Sequence, residues 1–119
     1  MALGDLEREV MTQLWNAGEP LTVRQVHERL SRDRELAYTT VMTVLDRLAK
    51  KGVVIQQRAD RAYCYAPAQT REEMTAALML DALSAAPDGA VRDAALAHFM
   101  GRLDPAAVAA AIEAAKRNP

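Results

Sequence analysis

The sequence predicts a mainly α-helical protein of two units, the first carrying a small β-hairpin and the second built from three further helices. Three observations carry this. Apolar residues recur at helical spacing over most of the chain, residues 53–65 switch to β-prone composition, and Pro67 separates the halves. With 119 residues, 50% hydrophobic and 26% charged, the chain has the composition of one or two small globular units; at 4% aromatic its core is aliphatic.

Leu3, Leu6, Val10 and Leu14, widened by Met11 and Trp15, form the inner stripe of a first helix that Gly18 and Pro20 stop. Thr22 opens a second: Gln25 completes a capping box, Leu21 and Val26 form a staple, and Val23, Val26 and Leu30 face inward. Arg32 to Glu35 is a charged connection. The third helix is AYTTVMTVLDRLAKKG, residues 37–52, closed by Gly52 at C′. The runs Val53–Arg58 and Ala62–Tyr65, joined by Ala59-Asp60-Arg61, form a hairpin without the Asn-Gly signal of a tight turn, and the chain around Glu19 to Leu21 offers a short extra strand. Helix, helix, helix, hairpin is the order of a winged helix-turn-helix domain, here residues 1–67.

In residues 68–119, Thr70 and Glu73 make a second capping box and open a helix through Met74, Leu78, Met79, Leu80 and Leu83 that Pro87-Asp88-Gly89 breaks. Another helix runs from about Val91 to Met100, with Leu96, Phe99, Met100 and Leu103 on one side. Asp104 and Pro105 start the last, Ala-rich helix, which carries Val108 and Ile112 and ends in Lys116 and Arg117. Three short helices bury too little to stand alone, and the first is apolar nearly all round. A second copy of the chain is the economical cover, so Met74, Leu78, Leu80, Leu83, Leu96, Phe99, Met100, Leu103, Val108 and Ile112 are the expected dimerisation residues.

The third helix raises the functional question. At ~100° per residue, Thr39, Thr40, Thr43, Asp46, Arg47 and Lys50 span roughly a third of its circumference, with Val41, Val44, Leu45 and Leu48 opposite. β-branched threonines are mediocre helix formers, so three within two turns are not there for propensity. Hydroxyls and methyls that touch bases, followed by cations that reach phosphates, suit the groove of a duplex. The net charge of −1 is silent on this, but residues 46–61 set Arg47, Lys50, Lys51, Arg58 and Arg61 against Asp46 and Asp60. Thr39, Thr40, Thr43 and Arg47 are the expected readers; Lys50, Lys51, Arg58 and Arg61 are expected to hold phosphates. Asp46 pairs with Lys50 at i,i+4. Tyr38, just before the helix, either touches DNA or packs at the helix start, and Tyr63 and Tyr65 pack the hairpin.

Enzyme chemistry fares poorly. His27 and His98 fall in different units, Cys64 has no partner at nucleophile spacing, and no Gly-rich phosphate loop or H-x-x-x-H metal pair occurs, so no catalytic residue, metal or cofactor is expected. A lone cysteine fits a reducing compartment, no apolar run approaches the ~18 residues of a membrane helix, and the acidic, amphipathic MALGDLEREV is unlike a signal peptide. The expectation is a cytoplasmic protein. A protein-protein interaction module would explain the apolar C-terminal helices and leave the threonine-basic stripe unexplained.

With TVRQVHERL, AYTTVMTVLDRLAKKG and a wing ending Tyr-Ala-Pro, nearly the whole chain resembles the penicillinase-repressor family, to which copper-responsive repressors are related. The family's N-terminal pattern matches Leu3, Leu6, Glu7, Val10, Met11, Leu14 and Trp15, and its central one matches Thr39, Thr40, Val41, Thr43, Leu45, Arg47, Leu48, Lys50, Lys51 and Gly52. The resemblance implies a dimeric transcriptional repressor that inserts the third helix into the major groove of a palindromic operator, controls β-lactamase or related antibiotic-response genes, and dimerises through the C-terminal helices. It implies release by proteolysis in the dimerisation domain once a membrane sensor-protease detects the antibiotic, at a bond that aligns with His98-Phe99 where the family has Asn-Phe. The paired C-x-C clusters of the copper-responsive members are not found in this sequence, though a winged-helix regulator answering a different metal or ligand signal stays the alternative.

Overall fold

The structure, a computed structural model, describes residues 3–117. Its elements follow the order α1 (Asp5–Ala17), β1 (Leu21–Thr22), α2 (Val23–Leu30), α3 (Tyr38–Lys50), β2 (Val54–Ala59), β3 (Ala62–Pro67), α4 (Arg71–Ser84), α5 (Gly89–Met100) and α6 (Pro105–Arg117). This is the mainly α fold with a winged helix-turn-helix that the sequence predicts. Two compact units divide it, Met1–Ala77 and Leu78–Pro119.

In the first unit, helices α1, α2 and α3 pack on one another and on the sheet. Val10, Met11 and Leu14 of α1, Val26 of α2 and Val41, Leu45 and Leu48 of α3 lose essentially all solvent contact. Leu3 stays half-buried outside α1, whose N-cap is Gly4; Gly18, at φ 69°, ends the helix in the left-handed conformation that glycine adopts without a Cβ penalty. The Thr22 hydroxyl accepts from Gln25 N at 3.2 Å while Gln25 Oε1 accepts from Thr22 N at 2.9 Å, so the expected capping box forms. Leu21 and Val26 are both buried, as a staple requires. β1 is the extra strand: it pairs with β3 through Leu21↔Tyr65 and Thr22↔Cys64, giving the order β1-β3-β2.

The hairpin closes at Ala59↔Ala62, so only Asp60 and Arg61 form the loop. Asp60 takes φ 56°, a left-handed conformation that aspartate tolerates better than most residues, which explains a tight turn without Asn-Gly. Sequence reasoning ends the first unit at Pro67; compact packing continues to Ala77. The cause is the first turns of α4. Trp15 Nε1 donates to Gln69 O at 3.0 Å, the Arg71 guanidinium lies 5.4 Å from the Trp15 ring centre and donates to Asn16 Oδ1 at 2.8 Å, and Met74 is 4% exposed. Met74 is therefore corrected from the dimerisation set: its side chain is already covered within its own unit. The Thr70–Glu73 capping box forms as expected, and the Thr70 backbone N–H, then its hydroxyl, hold the Glu73 carboxyl below its ordinary value.

The second unit has caps but no buried side chain among its described residues. Asp88 accepts from Val91 N at 2.9 Å and starts α5 two residues before the expected Val91; Asp104 accepts from Ala106 N at 3.2 Å with Pro105 at the first helical position. Leu80 is 65% and Phe99 46% exposed, and Leu96, Met100, Leu103 and Ile112 are exposed with them; Leu78, Leu83 and Val108 are half-buried. Met79 and Val91, outside the expected set, join this apolar surface.

Candidate nucleic-acid interface

α3 divides as its sequence requires. Val41, Val44, Leu45 and Leu48 are buried, whereas Thr39, Thr40, Thr43, Asp46, Arg47 and Lys50 are all exposed. Thr43 Oγ1 donates to Thr39 O at 2.9 Å, which commits its proton to the backbone and leaves the methyl and both oxygen lone pairs for a partner. A methyl held this way suits the C5-methyl of thymine. Asp46 and Lys50 pair at 3.0 Å on the exposed surface, as expected from their spacing. Met42, which sequence reasoning passed over, is exposed beside Asp46, one step of ~40° beyond the polar stripe, and adds an apolar contact at its edge.

Tyr38 is the first residue of α3, not the one before it, and is exposed. Its ring meets His27 of α2 edge-on, centres 5.8 Å apart, and His27 Nε2 lies 2.6 Å from Leu36 O. A carbonyl only accepts, so Nε2 carries the proton. His27 thus pins the turn between α2 and α3 just where the third helix begins. Arg34 of the same turn pairs with Glu9 of α1.

In the wing, Arg58 and Tyr63 are cross-strand partners, with the guanidinium 6.0 Å from the ring centre, and Gln56 Nε2 donates to Tyr65 Oη at 2.9 Å. The two-residue period puts Arg58 and Tyr63 on the same hairpin face as buried Val54 and Tyr65, the face turned to the core. Tyr65 packs inward as expected, while Tyr63 is exposed beside Arg58. Arg61 stands at the exposed tip.

Lys51, also expected to hold a phosphate, pairs within the chain. Its Nζ lies 2.8 Å and 3.1 Å from the two carboxylate oxygens of Glu7 in α1, and Gly4 N donates to the same carboxylate at 2.9 Å. The Lys51 hydrogen bond, then the Gly4 N–H, hold the Glu7 carboxyl below its ordinary value against the opposing effect of burial. Nothing in the local sequence around Lys51 signals this partner. Among the described residues no group of three His, Cys, Asp or Glu side chains converges as a metal site, and no helix is long and apolar enough to cross a membrane.

A helix-turn-helix whose second helix offers threonines, Arg47 and Lys50 to solvent, flanked by a basic wing, defines a winged-helix DNA-binding regulator. Residues 3–115 match the family model described as Penicillinase repressor. The transcriptional regulator BlaI of Mycobacterium tuberculosis is 62% identical over 101 residues, which cover 85% of this chain and 73% of the relative. The solution structure of the DNA-binding domain of the repressor BlaI superposes with a TM-score of 0.54 at 28% identity, covering 60% of this chain and 85% of that one. The monomeric form of Bacillus licheniformis BlaI in complex with the blaP half-operator gives 0.53 at 27%, covering 61% and 88%. The chain belongs to the penicillinase-repressor family: it is a BlaI-like transcriptional repressor that binds DNA, and not an enzyme.

Proposed function

We propose that this protein is a homodimeric, cytoplasmic repressor that binds a palindromic operator in duplex DNA and controls β-lactamase or related antibiotic-response genes. The observation that carries the reading is the division of α3, whose exposed third is threonine, arginine and lysine above a wholly buried aliphatic face. Thr39, Thr40, Thr43 and Arg47 read the major groove, Tyr38 borders it, and Lys50, Arg58 and Arg61 hold phosphates. The half-operator bound by the Bacillus licheniformis relative supports one half-site per protomer.

A second copy covers the apolar surface of the second unit, where Leu80, Leu96, Phe99, Met100, Leu103 and Ile112 are exposed in the single chain. Dimerisation makes the second half-site contact intramolecular, so affinity depends on residues that touch no DNA. Repression ends when a protease answering a membrane sensor cuts near His98-Phe99. That bond lies in the last turn of α5, which ends at Met100, and a final turn opens more readily than a helix centre.

Footprinting on genomic DNA, with sedimentation of the same protein, tests the core of this reading. Two protected half-sites about 34–36 Å apart, or a multiple, are expected from a dimer. A 13.0 kDa monomer that protects its site at full affinity would refute it. β-Lactam treatment of the source cells, followed by fragment mapping, tests release. A fragment ending within a turn of Phe99 is expected; an intact repressor with target genes switched on transfers the trigger to a ligand or partner.

A further inference from the structure

We propose that Glu7 and Lys51 form a strut that positions the recognition helix α3 on the operator, and that Lys51 holds no phosphate. The inference rests on the DNA-binding reading above and changes the role of one of its cations. Lys51 is the C-cap of α3, and the chain turns into the wing directly after it: Gly52 N donates to Ala49 O and Val53 N to Leu48 O, both at 3.0 Å, with Gly52 at φ 77°. Glu7 stands in the first turn of α1, where the Gly4 N–H fixes its carboxylate. One ion pair therefore ties α1 to the junction of recognition helix and wing, the place that sets the angle between them.

The surroundings of the two partners decide against a phosphate role. The Glu7 side chain is 14% exposed and accepts bonds from Gly4 N and, at both oxygens, from Lys51 Nζ, whereas the Lys51 side chain is 37% exposed. Swinging Lys51 to a phosphate strips a mostly buried carboxylate of its counter-ion, a loss larger than one exposed ion pair returns. Lys50 is the contrast. At 76% side-chain exposure, paired with Asp46 at 56%, it exchanges partners at little cost and remains the anchor at this end of α3.

The test uses the full chain, the duplex protected in footprinting, and a temperature far below the melting of each variant, so that folded fraction does not enter the binding constant. K51M is expected to weaken binding by several-fold to about tenfold while the slope of log affinity against log salt stays at the wild-type value. E7Q weakens binding alike, the double variant is no worse than either, and K51R restores affinity by keeping the pair. A slope shallower by about 0.9 in K51M, the signature of one lost phosphate contact, overturns the strut. So does E7Q binding as tightly as wild type or more tightly, since freeing a phosphate anchor from its carboxylate can only help it; this arm decides even where K51M fails to fold. Loss of salt-dependent duplex binding by the wild-type protein is a different failure, that of the DNA-binding reading itself.

Discussion

The two units divide their apolar residues in opposite ways. In Met1–Ala77, α1, α2, α3 and the sheet bury Val10, Met11, Leu14, Leu21, Val26, Val41, Leu45 and Leu48 almost completely. In Leu78–Pro119 the helices are as well capped and as regular, yet Met79, Leu80, Leu96, Phe99 and Ile112 face outward. Capping decides where a helix begins, while burial decides whether it persists. The first unit covers its own apolar residues; the second leaves many of its own uncovered in the single chain.

The largest expected effect breaks that contrast at its dependent side. F99D sets a charge in the apolar surface of α5, where a partner copy would have to desolvate it. Operator affinity should fall by about 10²–10⁴, toward that of one half-site, with single half-site binding unchanged. Sedimentation should show the monomer. A variant that stays dimeric with full operator affinity would place the interface elsewhere.

Truncation inside the self-sufficient unit comes next. Leu45 is fully buried in α3, so Leu45→Ala should cost about 2–5 kcal/mol by lost burial and the cavity left behind. The loss should be independent of protein concentration, whereas the melting of F99A should vary with concentration if, as proposed, its missing contacts lie between copies. Thermal scans at two concentrations a hundredfold apart separate the cases, and a concentration-independent shift for F99A would count against dimer packing.

How much of this was legible in the sequence follows from the distance over which each cause acts. Thr22 with Gln25 and Thr70 with Glu73 were readable because both partners of a capping box lie within one helical turn. The faces of α3 were readable for the same reason. Local signals place the boundary at Pro67, which does stop the hairpin, whereas compact packing reaches Ala77: Trp15 captures Gln69 O and Arg71 across more than fifty residues, a pairing no window contains. The sequence groups Lys51 with its basic neighbours because charge runs are local, while the carboxylate it pairs with is 44 residues away. Met74 read as interface since its helix is apolar on several sides, and only tertiary packing shows which side is already covered.

A smaller effect sharpens the division of labour within the first unit. T43A should reorder affinities among operator variants by about 1–3 kcal/mol at the base pair it touches, because it removes the methyl that the Thr39 carbonyl orients. R61A, at the wing tip, should weaken all duplexes alike and lower the salt slope by about 1. Competition binding against a panel of single-base operator variants measures both. An unchanged ranking for T43A, joined with a reordered one for R61A, would exchange the roles of helix and wing.

The smallest effect concerns acid. Glu7 is held below its ordinary value of 4.5 by Lys51 first and the Gly4 N–H second, and Glu73 is lowered by Thr70; both lie in the first unit. Since the folded carboxyl binds its proton less readily than the unfolded one, the unfolded chain takes up protons first as pH falls. The stabilisation is thus complete above about pH 4.5 and is lost as pH drops through the lower folded value. E7Q should cost about 1 kcal/mol or less at pH 7, given that Lys51 is partly solvated, and should flatten the acid limb of stability below pH 4.5 without abolishing it, because Glu73 still titrates. Urea unfolding of wild type and E7Q from pH 6 to pH 3 reads the difference. Parallel curves over that range would mean that Glu7 is equally solvated in folded and unfolded chains, and the strut would lose its electrostatic basis.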